Sequence, residues 1–206
     1  MRITRLTLAL SLAVLAVAFV SAQAPRTPAP AGGQRGRGRG AVQIMTLTAP
    51  WAPGAEIPLK HTQAGDEVSP ALSWDNPPDG TVSFALVVRD VSAPAGQGTD
   101  DVLHWMVWNI PAAARALPEG VPQGPVLSDG SRQISVTGPN YRGPAAPASG
   151  PAHVYVFELY ALDAMLGVPA LGPAAATVPQ TRAAVVAAMA GHVRGKAATA
   201  GVFRRR

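Results

Sequence analysis

From Ala41 onward the apolar positions come in short runs, each closed by proline or glycine: "IMTLTAP", "EIPLKHT", "ALSWD", "VSFALVVRD", "VLHWMVWNIP", "RQISVTG" and "HVYVFELYAL". Runs of this length, rich in β-branched and aromatic residues and spaced by turn formers, predict β-strands. Their succession predicts a mainly β fold, an antiparallel β-sandwich. Helical periodicity is confined to the C-terminal part. There Thr177 and Gln180 fit a capping box, and Val186, Met189, Ala190 and Val193 fall on one face. Residues 197–203 read as a returning strand, and no internal repeat is present.

One run carries a chemical question. In "DDVLHWMVWNIP" strict alternation puts Val102, Met106 and Trp108 on the face of His104, and Leu103, Trp105 and Val107 on the other, so both faces are covered. A titratable ring is an expensive filler there, which leaves a core histidine satisfied by a backbone carbonyl or a functional one. Two further polar residues sit at the ends of neighbouring runs. Asp90 closes "FALVVRD" where a loop takes over, and His153 opens "HVYVFELYAL" with Tyr155, Phe157 and Leu159 on its own face. The connection over residues 128–151, with its "GPNYRGPAAPASGP", is Pro-rich and of the kind that walls a site.

Two histidines and a carboxylate are compatible with a metal site, an acid/base site or an anion pocket. Among His61, His104, His153 and His192 no H-x-H or H-x-x-x-H spacing occurs, which argues against a metal, and nothing calls for a cofactor. No G-x-S-x-G is present, so a hydrolase with Ser92 or Ser149 as nucleophile is a minor alternative. An anion needs only donors: imidazole nitrogens, a phenol hydroxyl and backbone N–H groups of the loop around Gly143.

Composition changes the setting. The 206 residues, 48% of them apolar, suffice for one domain with appendages. Residues 1–24 combine Arg2 and Arg5 with an apolar run and end in Ala22-Gln23-Ala24, the pattern of a secretory signal peptide; a retained membrane anchor is the competing reading. Residues 25–40, "PRTPAPAGGQRGRGRG", read as a Pro/Gly/Arg-rich disordered linker in weak contact with anionic surfaces, leaving 41–206 as the folded domain. Six of the 17 basic residues precede residue 41 and all 12 acidic ones follow it, so the domain holds 11 against 12, a net charge of −1. The isoelectric point near 10.4 therefore reports the appendages and the terminal arginines, and no nucleic-acid partner is expected. With no cysteine, an exported domain is held by packing alone.

Seven segments in order, "VSPALSW", "FALVVRDVSAP", "LHWMVWNIP", "LPEG", "GPNYRGPAAP", "HVYVFELYALD" and "MAGHVRGKA", resemble the phosphatidylethanolamine-binding protein family, in its bacterial Raf-kinase-inhibitor-like branch. The likeness runs from about Leu47 to Phe203. It implies a β-sandwich with a C-terminal helix and short peripheral helices, and a pocket for phosphate-type anions or phospholipid headgroups. Carried over residue by residue, that pocket comprises Asp90, Pro94, His104, Gly143, Pro144, His153 and Tyr155. It also implies a binding protein rather than an enzyme, with inhibition of a protease or kinase as the alternative, and a homodimer as in some relatives. The chain departs from the family where Ser92 replaces the second carboxylate of an Asp-Pro-Asp-x-Pro-like stretch, where Ala146 interrupts the G-P-x-P-P loop, and where Val154 takes the place of an arginine.

The leader makes a direct prediction. Secretion from a bacterial host should yield a mature chain beginning at Pro25, read by intact mass; a membrane-extracted mass retaining Met1 contradicts cleavage.

Overall fold

The computed structural model describes residues 41–172 and 177–206; the signal-peptide and linker segments lie outside the described residues. The chain order is β1 (Gln43–Ile44), β2 (Thr46–Thr48), a 3-10 turn (Leu59–His61), β3 (Leu72–Asp75), β4 (Ser83–Pro94), β5 (Asp101–Pro111), β6 (Ala116–Leu117), β7 (Arg132–Ile134), β8 (His153–Leu162), α1 (Val178–Met189) and β9 (Val193–Phe203). Six strands form one sheet in the order β1-β9-β8-β4-β5-β7, and β2-β3-β6 form a second. Every pair is antiparallel except β1–β9.

Two apolar layers clothe the large sheet. One face carries Phe84, Leu86, Val88, Trp105, Val107, Tyr155, Phe157 and Leu159 toward Leu47, Leu72 and Trp74 of the small sheet. The opposite face carries Ala85, Val87, Met106, Trp108 and Ile134, covered by Leu166, Val168 and the α1 residues Val185 and Met189. This two-sided covering explains why β4 and β5 read as nearly continuous apolar runs. Each fully buried aromatic there is worth roughly 1.5–3 kcal/mol of burial.

Strict alternation fails in β5 at the histidine. Val88 pairs with Trp105 and Arg89 with Leu103, so His104 is the extra residue of a β-bulge. The phase shifts by one: Leu103 joins Met106 and Trp108, and His104 turns to the other face against the Tyr155 ring, centroids 5.0 Å apart at 89°. The face assigned to His104 from the sequence is thus corrected, because a bulge leaves no mark in the hydrophobic pattern. A second shift falls at Asn109, with φ of 59°, a conformation asparagine tolerates. Its side-chain amide clamps both the N–H (2.8 Å) and the carbonyl (3.0 Å) of Leu166.

Three other expectations change. "EIPLKHT" forms only a single bridge, Glu56 to Val202, and then the 3-10 turn, since Pro58 has no N–H to give a ladder. Asp90 lies within β4, which runs on to Pro94, rather than at its end. The buried face of α1 is Thr181, Val185 and Met189, while Val186 is exposed, Ala190 caps the helix and Val193 already belongs to β9. In so alanine-rich a helix the apolar pattern is too even to choose a face. The capping contact is present: the Gln180 side chain accepts the Thr177 N–H at 2.9 Å.

Gly201 marks where a strand and a loop approach most closely, since a Cβ there would strike Ile57 Cγ1 and stand 2.7 Å from Trp51 Nε1. Gly201→Val should therefore cost roughly 1–3 kcal/mol by overpacking, measured by urea denaturation; an unchanged midpoint would contradict the packing described.

Candidate functional site

The polar cluster is assembled by register. Asp90 of β4 stands opposite Tyr155 of β8 and opposite Val102 of β5, the bulge turns His104 toward both, and His153 opens β8 two residues before Tyr155 on the same face. Asp90 is 4% exposed, yet its carboxylate is satisfied: Oδ1 accepts the Ser92 N–H at 2.9 Å and Oδ2 accepts His153 Nδ1–H at 2.7 Å. The phenol of Tyr155 accepts two loop amides, Ala145 N–H and Ala146 N–H, both at 3.2 Å. Burial, and next the Asp90 carboxylate, push that phenol up to about 12.

His104 and Arg142 grip each other twice. His104 Nδ1–H donates to the Arg142 carbonyl at 2.9 Å, and the Arg142 N–H donates to the His104 carbonyl at 2.9 Å. The carbonyl acceptor fixes the tautomer with the hydrogen on Nδ1, leaving Nε2 as a lone pair in the neutral ring. Burial is the main cause that holds the ring below its ordinary value of 6.5, outweighing the Arg142 hydrogen bond and the Asp90 charge.

The loop expected to offer bare amides does not do so. Gly143 N–H donates to Glu67 Oε1 at 3.0 Å, Pro144 has no N–H, and the next two amides serve Tyr155. Gly143 is required by close backbone approach: a Cβ would lie 2.7 Å from the His61 carbonyl oxygen. Pro144 adds a brace, its carbonyl accepting Gln63 N–H at 2.9 Å. Pro94 pairs with Asp101 at the exposed end of β4 and makes none of the cluster's hydrogen bonds or ring contacts. The structure therefore unites Asp90, His104, His153 and Tyr155, gives Gly143 and Pro144 a supporting part, and leaves Pro94 at the periphery.

Sequence reasoning passed over the braces. Arg142 Nη2 donates to Gln63 Oε1 at 2.6 Å, and Arg142 Nη1 stands 3.2 Å from Glu67 Oε1. Glu67 itself has φ of 56°. Arg142 adjoins Gly143 in the loop and was readable by position; Gln63 and Glu67 lie far away in sequence and carried no signal. Among the described residues no group of three or more His, Asp or Glu is placed to hold a metal.

Sheet order and cluster together define a two-sheet β protein with a buried carboxylate, two imidazoles and a phenol on three adjacent strands. Residues 48–204 match the sequence model described as phosphatidylethanolamine-binding protein. A UPF0098 protein of Methanothermobacter thermautotrophicus is 40% identical over 151 residues, 72% of this chain and 91% of the relative. A Mycobacterium tuberculosis relative bearing a lipoprotein's name, LppC, is 34% identical over 158 residues, 75% of this chain and 71% of the relative. Among solved structures, the phosphatidylethanolamine-binding protein homologue CT736 of Chlamydia trachomatis superposes with a TM-score of 0.64 at 27% identity, covering 80% of this chain and 99% of its own. Escherichia coli YbcL shares the fold with a TM-score of 0.62 at 24% identity, covering 79% and 99%. The chain belongs to the phosphatidylethanolamine-binding protein family.

Two predictions rest on this geometry. Tyr155→Phe strips the acceptor from two loop amides and should cost roughly 1–3 kcal/mol for each that stays buried and unpaired, by urea denaturation. His104 binds its proton less readily when folded than unfolded. Its contribution to stability is therefore complete above the ordinary value of 6.5 and is lost as pH falls below it. The melting temperature of the free protein should drop as pH is lowered from 7 toward 5, and His104→Gln should flatten that slope; an unchanged slope contradicts a buried neutral ring.

Proposed function

We propose that the domain is an exported, non-enzymatic binding protein whose Asp90, His104, His153 and Tyr155 cluster receives a small phosphate-type anion or phospholipid headgroup. One observation carries the reading: both histidines commit Nδ1 to fixed acceptors, Arg142 O at 2.9 Å and Asp90 Oδ2 at 2.7 Å, so each ring keeps Nε2 for a ligand. The leader pattern of residues 1–24 and the LppC relative support export.

The hydrogen-bond pattern dictates how such an anion binds. Loop amides are spent within the protein, so donors must come from the imidazoles. A neutral ring with hydrogen on Nδ1 offers a lone pair at Nε2, which repels an anion that brings no proton. Binding is therefore coupled to a proton, carried in on a phosphate monoanion or taken up by an imidazole, which the anion then stabilises. Asp90 orients the His153 ring, and Arg142 orients the His104 ring. Ser92 in place of a second carboxylate removes a repulsive charge from the mouth, where its hydroxyl accepts Val154 N–H at 2.9 Å.

Titration calorimetry with phosphoethanolamine is the test. Affinity should strengthen as pH falls from about 8 to 6, with proton uptake visible across buffers of different ionisation enthalpy. His153→Ala should weaken binding by roughly 1.5–3 kcal/mol, as expected for a charge-assisted bond. Unchanged affinity in both His104→Ala and His153→Ala would contradict the reading.

A further inference from the structure

One cavity is lined by neither histidine of the cluster. It lies beyond the end of β9, with a volume of about 530 Å³, within the range of small-molecule sites. Its apolar side is formed by Ile57, Pro58, Leu59 and Phe203, and its polar side by Arg204 and Arg205. Ile57 and Phe203 are buried floor, at 1% and 3% exposure, whereas Leu59 stands 60% exposed at the rim, a large apolar side chain facing water. A second hollow of about 420 Å³ shares Glu56, Phe203 and Arg204 with the first and extends to Ala152.

The charges are unbalanced. Glu56 is matched by Arg206 at 3.3 Å. Arg204 donates only to the Gly150 carbonyl, at 3.2 Å, and the Arg205 guanidinium has neither hydrogen bond nor ion pair among the described residues. Two arginine forks without a carboxylate thus flank an apolar hollow. Guanidinium groups take planar oxyanions bidentately, and an exposed leucine above a buried phenylalanine asks for an apolar chain. Both demands fall on one small molecule.

We propose that this groove binds a monomeric single-chain anionic amphiphile of the fatty-acid type, its carboxylate on Arg204 and Arg205 and its chain along Ile57, Leu59 and Phe203. The groove adjoins the histidine cluster, since Phe203 pairs with His153 across β8 and β9, but it is lined by none of the cluster's side chains. The backbone that shapes it is firm: Arg205 N–H donates to the Ala146 carbonyl at 3.1 Å, and Ile57 N–H to the Val202 carbonyl at 2.9 Å.

Decanoate, acetate and decanol, each titrated at pH 7.5 into the full chain below the micelle concentration, test the proposal. Decanoate should bind at least tenfold more tightly than acetate, which lacks the chain, or decanol, which lacks the charge. Arg204→Gln combined with Arg205→Gln should weaken decanoate at least tenfold, and Leu59→Asp several-fold, while melting temperature holds because all three side chains are exposed. His153→Ala should leave decanoate binding unchanged, which separates this groove from the phosphate-type site. The proposal is overturned if decanoate binds no better than acetate, if the arginine variant binds it as the parent does, or if His153→Ala abolishes its binding. Association with phosphatidylglycerol vesicles without binding of monomeric decanoate would equally overturn it, assigning the arginines to a membrane surface.

Discussion

The double hydrogen bond between His104 and Arg142 is the constraint on which the cluster depends. The β5 bulge alone would turn the imidazole toward Tyr155 but leave it free to rotate; the Arg142 carbonyl fixes both its orientation and its tautomer. Because the same residue returns its N–H to the His104 carbonyl, the strand and the loop hold one geometry. The loop is then braced from two sides, by Gln63 and Glu67 outside and by the Tyr155 phenol inside. Its amides are thereby consumed as structure, and in the proposed function the burden of ligand recognition passes to the imidazoles.

That division of labour has an electrostatic consequence. The folded domain is close to neutral, so it exerts little long-range attraction on anions. Under the proposed function, selectivity for an anion comes from local proton placement, in a cluster where one carboxylate already orients one imidazole. A second carboxylate in place of Ser92 would sit near that charge, so the serine found there is compatible with the anion site proposed above. The unpaired arginines at the end of β9 form a different environment, cationic and solvent-exposed, and the two are suited to different chemistry.

Much of the frame was legible in the sequence because strand periodicity is a local property. His153 and Tyr155 fall on one face by simple alternation, and the structure keeps them there; that Asp90 pairs opposite Tyr155 is a matter of register between strands. What could not be read depends on distant contacts. The bulge that reverses His104 shows no local signature, since every neighbour is apolar whichever way it points. The face of α1 was misassigned because alanine buries and exposes almost equally well. Gly143 looked like an amide donor, but only the approach of the His61–Thr62 backbone reveals that it is there for lack of a Cβ. Glu67, a surface-type residue far from the loop in sequence, becomes a brace only once the fold is closed.

Nitrogen-15 NMR of the His104 imidazole tests the central claim most directly, because it reports which ring nitrogen carries the hydrogen. In the free protein at pH 7 the ring should be neutral with hydrogen on Nδ1, as the Arg142 carbonyl requires. On saturation with phosphoethanolamine, Nε2 should enter a hydrogen bond with the ligand, as acceptor from a phosphate monoanion or as a newly protonated donor, and its resonance should move while Nδ1 stays protonated. A free ring with hydrogen on Nε2, or an Nε2 resonance indifferent to ligand, would contradict it.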